Sequence, residues 1–151
     1  MRKRAPESPA GREPDREPRV QFAALPWRRN AAGDVEVLLI TSRETRRWVI
    51  PKGWPIRGSN SAQSAAQEAF EEAGVLGKVA KRPLGGFTYD KRLKSNRLQH
   101  VRVAVFGLQV EREMADYPEL GQREKLWLPA AEAARQVDEP ELMVLLATFK
   151  P

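Results

Sequence analysis

The 151-residue chain has no cysteine and a single histidine, His100. Without cysteine there is no disulfide framework, no thiolate nucleophile and no cysteine-ligated zinc site. One histidine cannot build a multi-histidine centre, so any metal must be held by oxygen ligands. No apolar run approaches the roughly 18 residues that would span a bilayer, and the amino terminus lacks the apolar core of a signal peptide. A cytoplasmic protein with no membrane partner is the default expectation. The length suits one domain with a real core and is short for two.

Charged residues make up 30% of the chain and its formal net charge is +6, so the placement of charge carries more information than its total. Residues 1–19, "MRKRAPESPAGREPDREPR", hold six basic and four acidic side chains, four prolines and almost nothing apolar. Such a stretch buries too little to offset the entropy of ordering it and is expected to be a disordered basic, proline-rich tail, with the folded domain spanning 20–151. A second concentration lies between Lys78 and Arg102. Lys78, Lys81, Arg82, Lys91, Arg92, Lys94, Arg97 and Arg102 stand against Asp90 alone, +7 over 25 residues. That stretch is either a solvated, lysine-protected hairpin or a wall that attracts a highly phosphorylated ligand.

From Val20 the chain alternates short apolar runs with turn residues. "VQFAALPW" and "DVEVLLITS", separated by "RNAAGD", predict a β-hairpin, and "RRWVIP" a third short strand ended by Pro51. After the loop "PKGWPIRGSN", Ser61 to Ala73 is rich in alanine and free of glycine and proline, with Asn60 or serine to cap its start and Gly74 to stop it. Residues 79–110 return to strand character, with "GGFTYDKRL" and "HVRVAVFGLQV" as a hairpin about "KSN". An acidic loop "EREMADYPELGQ" then leads to the strand "KLWL", and Pro129 opens a helical end interrupted near "DEP". Strands, a central helix, more strands and terminal helices make a mixed α/β domain.

The central helix carries the chemical signal. At 100° per residue, Ala62, Ala65, Ala66, Ala69, Phe70 and Ala73 fall within an arc of about 140°, and Glu68, Glu71 and Glu72 occupy an adjoining arc of about 100°. Three like charges at that spacing repel, and the helix has no lysine or arginine three or four residues away to compensate. A solvated acidic face is one reading. The other is a site for a hard cation, which prefers carboxylate and carbonyl oxygens and leaves room for water and phosphate. Lys52, Gly53 and Gly58 in the preceding loop allow backbone to approach such a ligand closely. The cation would neutralise charge on phosphoryl oxygens and position a water whose proton one glutamate accepts. Trp54 is either a base-stacking platform or a packing anchor, Trp48 and Trp127 read as core or strand residues, and His100 reads as structural.

With these residues in place the sequence resembles the Nudix hydrolases, whose signature is G-x5-E-x7-R-E-U-x-E-E-x-G-U, U being bulky and apolar. Gly53, Glu68, Glu71, Glu72, Gly74 and Val75 match in register over 23 residues. Beyond that box, "LLITSRETRRWVIPKGW" and "ADYPELGQREKLWL" resemble the diphosphoinositol polyphosphate phosphohydrolase branch and its bacterial relatives. The resemblance covers about residues 20–149 and implies an α/β/α sandwich with a mixed sheet, dependence on Mg²⁺ or Mn²⁺, and water attack within a diphosphate linkage. It implies Glu68 and Glu72 as the main metal ligands, Glu71 as metal ligand or base, and the Lys52 carbonyl as a further oxygen. Arg43, Gly53, Arg123 and Lys125 are the implied contacts to a small anionic phosphorylated substrate. Diphosphoinositol polyphosphates or dinucleoside polyphosphates are expected ahead of ADP-ribose.

Three positions of the box depart from the pattern, and Ala69 is one, a small residue where the box has a bulky apolar one. Ser59 stands for a glutamate outside the carboxylate trio. Gln67 replaces the arginine that orients the catalytic glutamate, and its neutral hydrogen bond is about half as strong as a charge-assisted one. An impaired domain that senses nucleotides or inositol phosphates is therefore the alternative expectation. A nucleic-acid-binding module using the basic hairpin and tail is the remaining one, and neither a recognition helix nor an aromatic stacking motif supports it.

Overall fold

The computed structural model describes residues 19–151. Of the expected tail, residues 1–18 lie outside the described residues, and Arg19 already belongs to the first strand. The chain runs through β1 (Arg19–Arg29), β2 (Val35–Thr41), β3 (Trp48–Val49), β4 (Lys52–Gly53), α1 (Ser61–Ala73), β5 (Val75–Val79), β6 (Gly85–Arg92), β7 (Leu98–Glu113), β8 (Lys125–Pro129), α2 (Ala130–Ala134) and α3 (Pro140–Ala147).

The eight strands form one mixed sheet with the path β3-β2-β1-β7-β5. β1 and β2 form the predicted antiparallel hairpin, with Trp27 opposite Val37. β6 and β7 form the other, with Phe87 opposite Val103. Its centre is the parallel pair β1–β7, in register from Arg19↔Val101 to Trp27↔Gln109. β4 pairs with β1 and β8 with β2.

Period-two alternation sends successive side chains to opposite faces. Ala23, Leu25, Val37, Leu39, Val103 and Val105 face α2 and α3, where Ala133, Leu142 and Leu146 meet them. Ala24, Leu38, Ile40, Phe106 and Leu108 face α1 and pack on Ala65, Ala69 and Ala73. Each fully buried leucine or valine stabilises this arrangement by about 1.5–3 kcal/mol. The result is a mixed α/β domain, as the order of elements predicts, in the α/β/α sandwich that the family resemblance implies.

Three elements differ from the sequence reading, and the first is β4, which lies in the stretch read as a loop. β5 was not foreseen as a strand, because "VLGKV" follows the helix directly and carries a central glycine. Gly77 is needed there: the register of β5 on β7 shifts between Leu76 and Gly77, and a Cβ at Gly77 would overlap the Gln109 carbonyl. β7 also runs on through "ERE", which the sequence reading gave to the acidic loop.

Candidate active site

α1 is placed by its ends. Asn60 accepts from the Gln63 backbone amide at 2.8 Å while the Gln63 side chain accepts from the Asn60 amide at 2.9 Å, a complete capping box. At the other end Gly74 turns left-handed at φ 72° and its amide returns to the Phe70 carbonyl. A Cβ on Gly74 would overlap the Tyr117 ring, so the loop after β7 closes directly over the helix end. Two backbone bonds fasten that closure, Met114 to the Gly74 carbonyl at 2.7 Å and Glu119 to the Glu71 carbonyl at 3.0 Å.

The small alanines that bring α1 onto the sheet carry its carboxylates down with it. Glu72 is only 8% exposed. Glu68 is half-buried and lies so close to β4 that a Cβ on Gly53 would overlap its carboxylate. Burial, a hydrogen bond to Glu72 and the neighbouring charges of Glu72, Glu71 and Glu119 push the Glu68 carboxyl up to about 8. Burial also raises Glu72, against the pull of Arg123. The two carboxylates thus share a proton that a cation would displace.

Glu71 is not drawn into this pair. Its Oε2 accepts from Gln67 Nε2 at 2.8 Å, so the glutamine at the departing position supplies the neutral bond expected of it. The described residues hold no group of three acidic or histidine side chains that could cage an ion alone. Two carboxylates suffice for Mg²⁺, which fills its other positions with water and substrate phosphate. Glu68 and Glu72 fit that requirement.

Glu72 opens into a cleft of roughly 430 Å³ lined also by Arg43, Lys52, Gly53 and Arg123. Lys91 and Arg92 close its far side, so that end of the basic hairpin faces the carboxylates. Lys78, Lys81 and Arg82 do not, because β5 meets β7 near Leu108 whereas Arg92 stands opposite Leu98. The 25-residue basic stretch is split between the two ends of β7.

Other expected residues find different work. Arg123 is held by Glu119 at 3.0 Å and donates to the Thr41 carbonyl at 3.0 Å, with Glu72 at 3.8 Å. It braces the carboxylates and also lines the cleft. Lys125 is not brought to the cleft; its ammonium lies 3.3 Å from Glu113 and 5.4 Å from the Tyr117 ring centroid. Arg43 is exposed at the cleft edge, bonded to Gln122 at 3.1 Å. His100 pairs with Asp90 at 3.0 Å on the surface.

Sequence reasoning missed the Lys52 side chain, Arg47, Glu119 and Glu139. Burial holds the Lys52 ammonium below the usual lysine range despite attraction from Glu72 and Glu139. Glu139, 9% exposed, stands at the N-cap position of α3 without a side-chain capping bond, receives Arg47 at 3.3 Å and leaves its buried Oε1 without a hydrogen bond. No spacing rule links these residues; the sheet assembles them.

No family model matches the chain. It is 35% identical to Nudix hydrolase 12, mitochondrial, of Arabidopsis thaliana over 104 residues, 66% of this chain and 50% of that protein. It is 34% identical to Nudix hydrolase 13, mitochondrial, of the same plant over 106 residues, 66% of this chain and 52% of that protein. The chain belongs to the Nudix hydrolase family. It spans about half the length of these Nudix relatives. Their mitochondrial names lend no support to the cytoplasmic expectation, and no helix among the described residues is long and apolar enough to cross a membrane.

The Nudix fold itself is shared with solved structures. One is the Ap4A hydrolase of C. elegans, TM-score 0.61 and 20% identity over 86% of this chain and 94% of that one. Another is the NUDIX domain of Shewanella oneidensis NrtR complexed with ADP ribose, TM-score 0.63 and 12% identity over 87% and 85%.

Proposed function

We propose that this chain is a divalent-metal-dependent hydrolase that cleaves a diphosphate linkage in a strongly anionic substrate. The observation that carries the reading is the buried Glu72 carboxylate, with Glu68 beside it against β4, opening into a cleft walled by Lys52, Lys91 and Arg92. Diphosphoinositol polyphosphates and dinucleoside polyphosphates stand ahead of ADP-ribose as substrates. Glu68 and Glu72, with the Lys52 carbonyl, would hold Mg²⁺ or Mn²⁺. When bound, that ion supplies charge neutralisation at phosphoryl oxygens and a more acidic water.

The chain's own groups do the rest. Glu71, standing off the pair and held by Gln67, accepts the proton of the attacking water. Lys52, Arg43, Lys91 and Arg92 take the phosphates, and Gly53 keeps β4 clear of Glu68. Arg123 favours the ionised form of Glu72.

The test is metal-dependent release of phosphate or nucleotide over a panel of diphosphoinositol polyphosphate, diadenosine polyphosphates, ADP-ribose and nucleoside triphosphates. Turnover of one class is expected, and Glu72→Gln is expected to abolish it; full activity in that variant would sink the carboxylate assignment.

A second reading is a domain that binds such ligands and hydrolyses them poorly. The neutral Gln67–Glu71 bond favours it, since a loosely oriented catalytic group costs about 10²-fold in rate. Gln67→Arg should then raise kcat several-fold, and an unchanged rate would mean that Glu71 is already oriented.

A further inference from the structure

The turn between β2 and β3 aims one side chain. The Ser42 amide donates to the Arg47 carbonyl at 2.8 Å, while its carbonyl accepts from the Arg46 amide at 3.0 Å and its hydroxyl from the Arg47 amide at 3.2 Å. Arg46 itself is left-handed at φ 59°, a region that few non-glycine residues adopt. Its guanidinium is tied to the Gln122 carbonyl at 3.1 Å and to Glu124 at 3.4 Å, in the loop before β8. The next side chain, Arg47, goes instead to the start of α3.

There the guanidinium meets Asp138 at 3.1 Å and Glu139 at 3.3 Å, and both bonds leave from Nη1. Nε and Nη2 have no partner among the described residues, and Arg47 lines the cleft. Those two nitrogens form an edge that can grip two phosphate oxygens in parallel. The other guanidiniums of the cleft differ. Arg123 has Nε, Nη1 and Nη2 all engaged, by Glu119 and the Thr41 carbonyl, and Arg43 and Arg92 are exposed and bonded to the amide oxygens of Gln122 and Asn96.

Glu139 lies behind this arrangement. It is buried, its Oε2 receives Arg47, and its Oε1 has no hydrogen bond. A buried acceptor left unmet destabilises a fold, and an apolar residue of similar size would cost it less. The carboxylate is intelligible as a clamp on Nη1. Asp138 is exposed, so water and salt weaken its share. Carboxylates also stand on the cleft wall itself, Glu44 and Asp90 besides Glu72. Asp90 pairs with His100 at 3.0 Å, and neither Glu44 nor Asp90 is bonded to Arg47. Both repel an arriving phosphate, so binding must come from cations held in a fixed place rather than from the average charge of the wall.

We propose that Arg47 is a phosphate-binding residue of this cleft and Glu139 its positioning residue, which clamps Nη1 so that the Nε–Nη2 edge is presented to the ligand. The proposal rests on the hydrolase reading above for the location of the site. Positioning and simple electrostatics predict opposite signs here. If Glu139 acted only through its negative field, removing its charge would tighten phosphate binding. If it holds Arg47, removing its charge frees a long side chain that the ligand must then order, and binding weakens.

The experiment is calorimetric titration of the full chain at fixed Mg²⁺ with inositol hexakisphosphate, which has no diphosphate linkage to cleave, and with the methylene-bridged analogue of ATP. Arg47→Gln should weaken the tighter-binding probe by about tenfold, and Arg47→Lys by nearly as much, since an ammonium lacks the fork. Glu139→Gln should weaken it about threefold, and should add nothing in the Arg47→Gln background.

Wild-type affinity in Arg47→Gln would overturn the proposal and leave the hydrolase reading intact. Tighter or unchanged binding in Glu139→Gln, or an undiminished loss without Arg47, would overturn the positioning role. The expected losses in a chain that turns over no diphosphate would remove the hydrolase reading and leave this one standing. A wild-type chain that binds neither probe would overturn both. Melting curves separate lost binding from lost fold, and Glu139→Asp, whose shorter reach should give the same loss, replaces Glu139→Gln if that variant does not fold.

Discussion

Glu68 and Glu72 place the strongest electrostatic demand on the molecule, and their protonation has a thermodynamic sign. The folded Glu68 carboxyl is raised to about 8 from an ordinary value of 4.5, so between those values the folded state holds a proton that the unfolded chain has released. Stability of the metal-free protein should therefore fall as pH rises from about 4.5 to about 8. Melting temperatures in EDTA should follow that decline, and millimolar Mg²⁺ should restore the loss at pH 8. A flat profile would mean that the pair is hydrated and unshifted.

Two basic residues implied as substrate contacts separate at this same scale. Lys125→Met removes an ammonium directed at Glu113, outside the cleft, and should change KM by less than twofold. Arg123→Met strips the partner from buried Glu72 and half-buried Glu119 and should cost about 3 kcal/mol of stability, read by denaturant unfolding. Equal effects on KM from both substitutions would contradict the placement described above.

α1 works because its termini are specified as closely as its faces. Gly74→Ala forces a left-handed non-glycine residue into the space of the Tyr117 ring, and a loss of at least about 1–2 kcal/mol is expected by chemical denaturation. The loop around Tyr117 should become more protease-sensitive at the same time. This element was the most legible part of the chain, since alanine content, Asn60, Gly74 and the fixed register of the glutamates all act over a few residues. The two hairpins were legible for the same reason.

β5 was not, because its central glycine is a local breaker that only the bulge against β7 turns into a requirement. Nor was the division of labour among the carboxylates. The spacing put three on one arc, but which two pair depends on Gly53 admitting Glu68 and on Arg123 arriving from the loop before β8, about 50 residues later. Lys52, Glu119 and Glu139 belong to the same class of information, created by the sheet and absent from any one segment.

Over the whole molecule, the basic stretch from Lys78 to Arg102 is divided between the ends of β7, and Lys91 and Arg92 at the end of β6 join Arg43, Arg47, Lys52 and Arg123 along the cleft. A long-range field from these cations should steer anionic substrates, so KM should rise severalfold between about 0.05 and 0.3 M salt as screening shortens that field's reach. A KM indifferent to salt would place recognition in contacts already desolvated.

The parallel pairing of β1 with β7 also governs how this molecule is made. Ala23 and Val105 are register partners, yet 82 positions separate them. Emerging from the ribosome, β1 must wait with the edge that pairs with β7 open until β7 has been synthesised. The centre of the sheet closes late, and a chain stalled anywhere before Leu98 is an open sheet edge awaiting either its own completion or a chaperone.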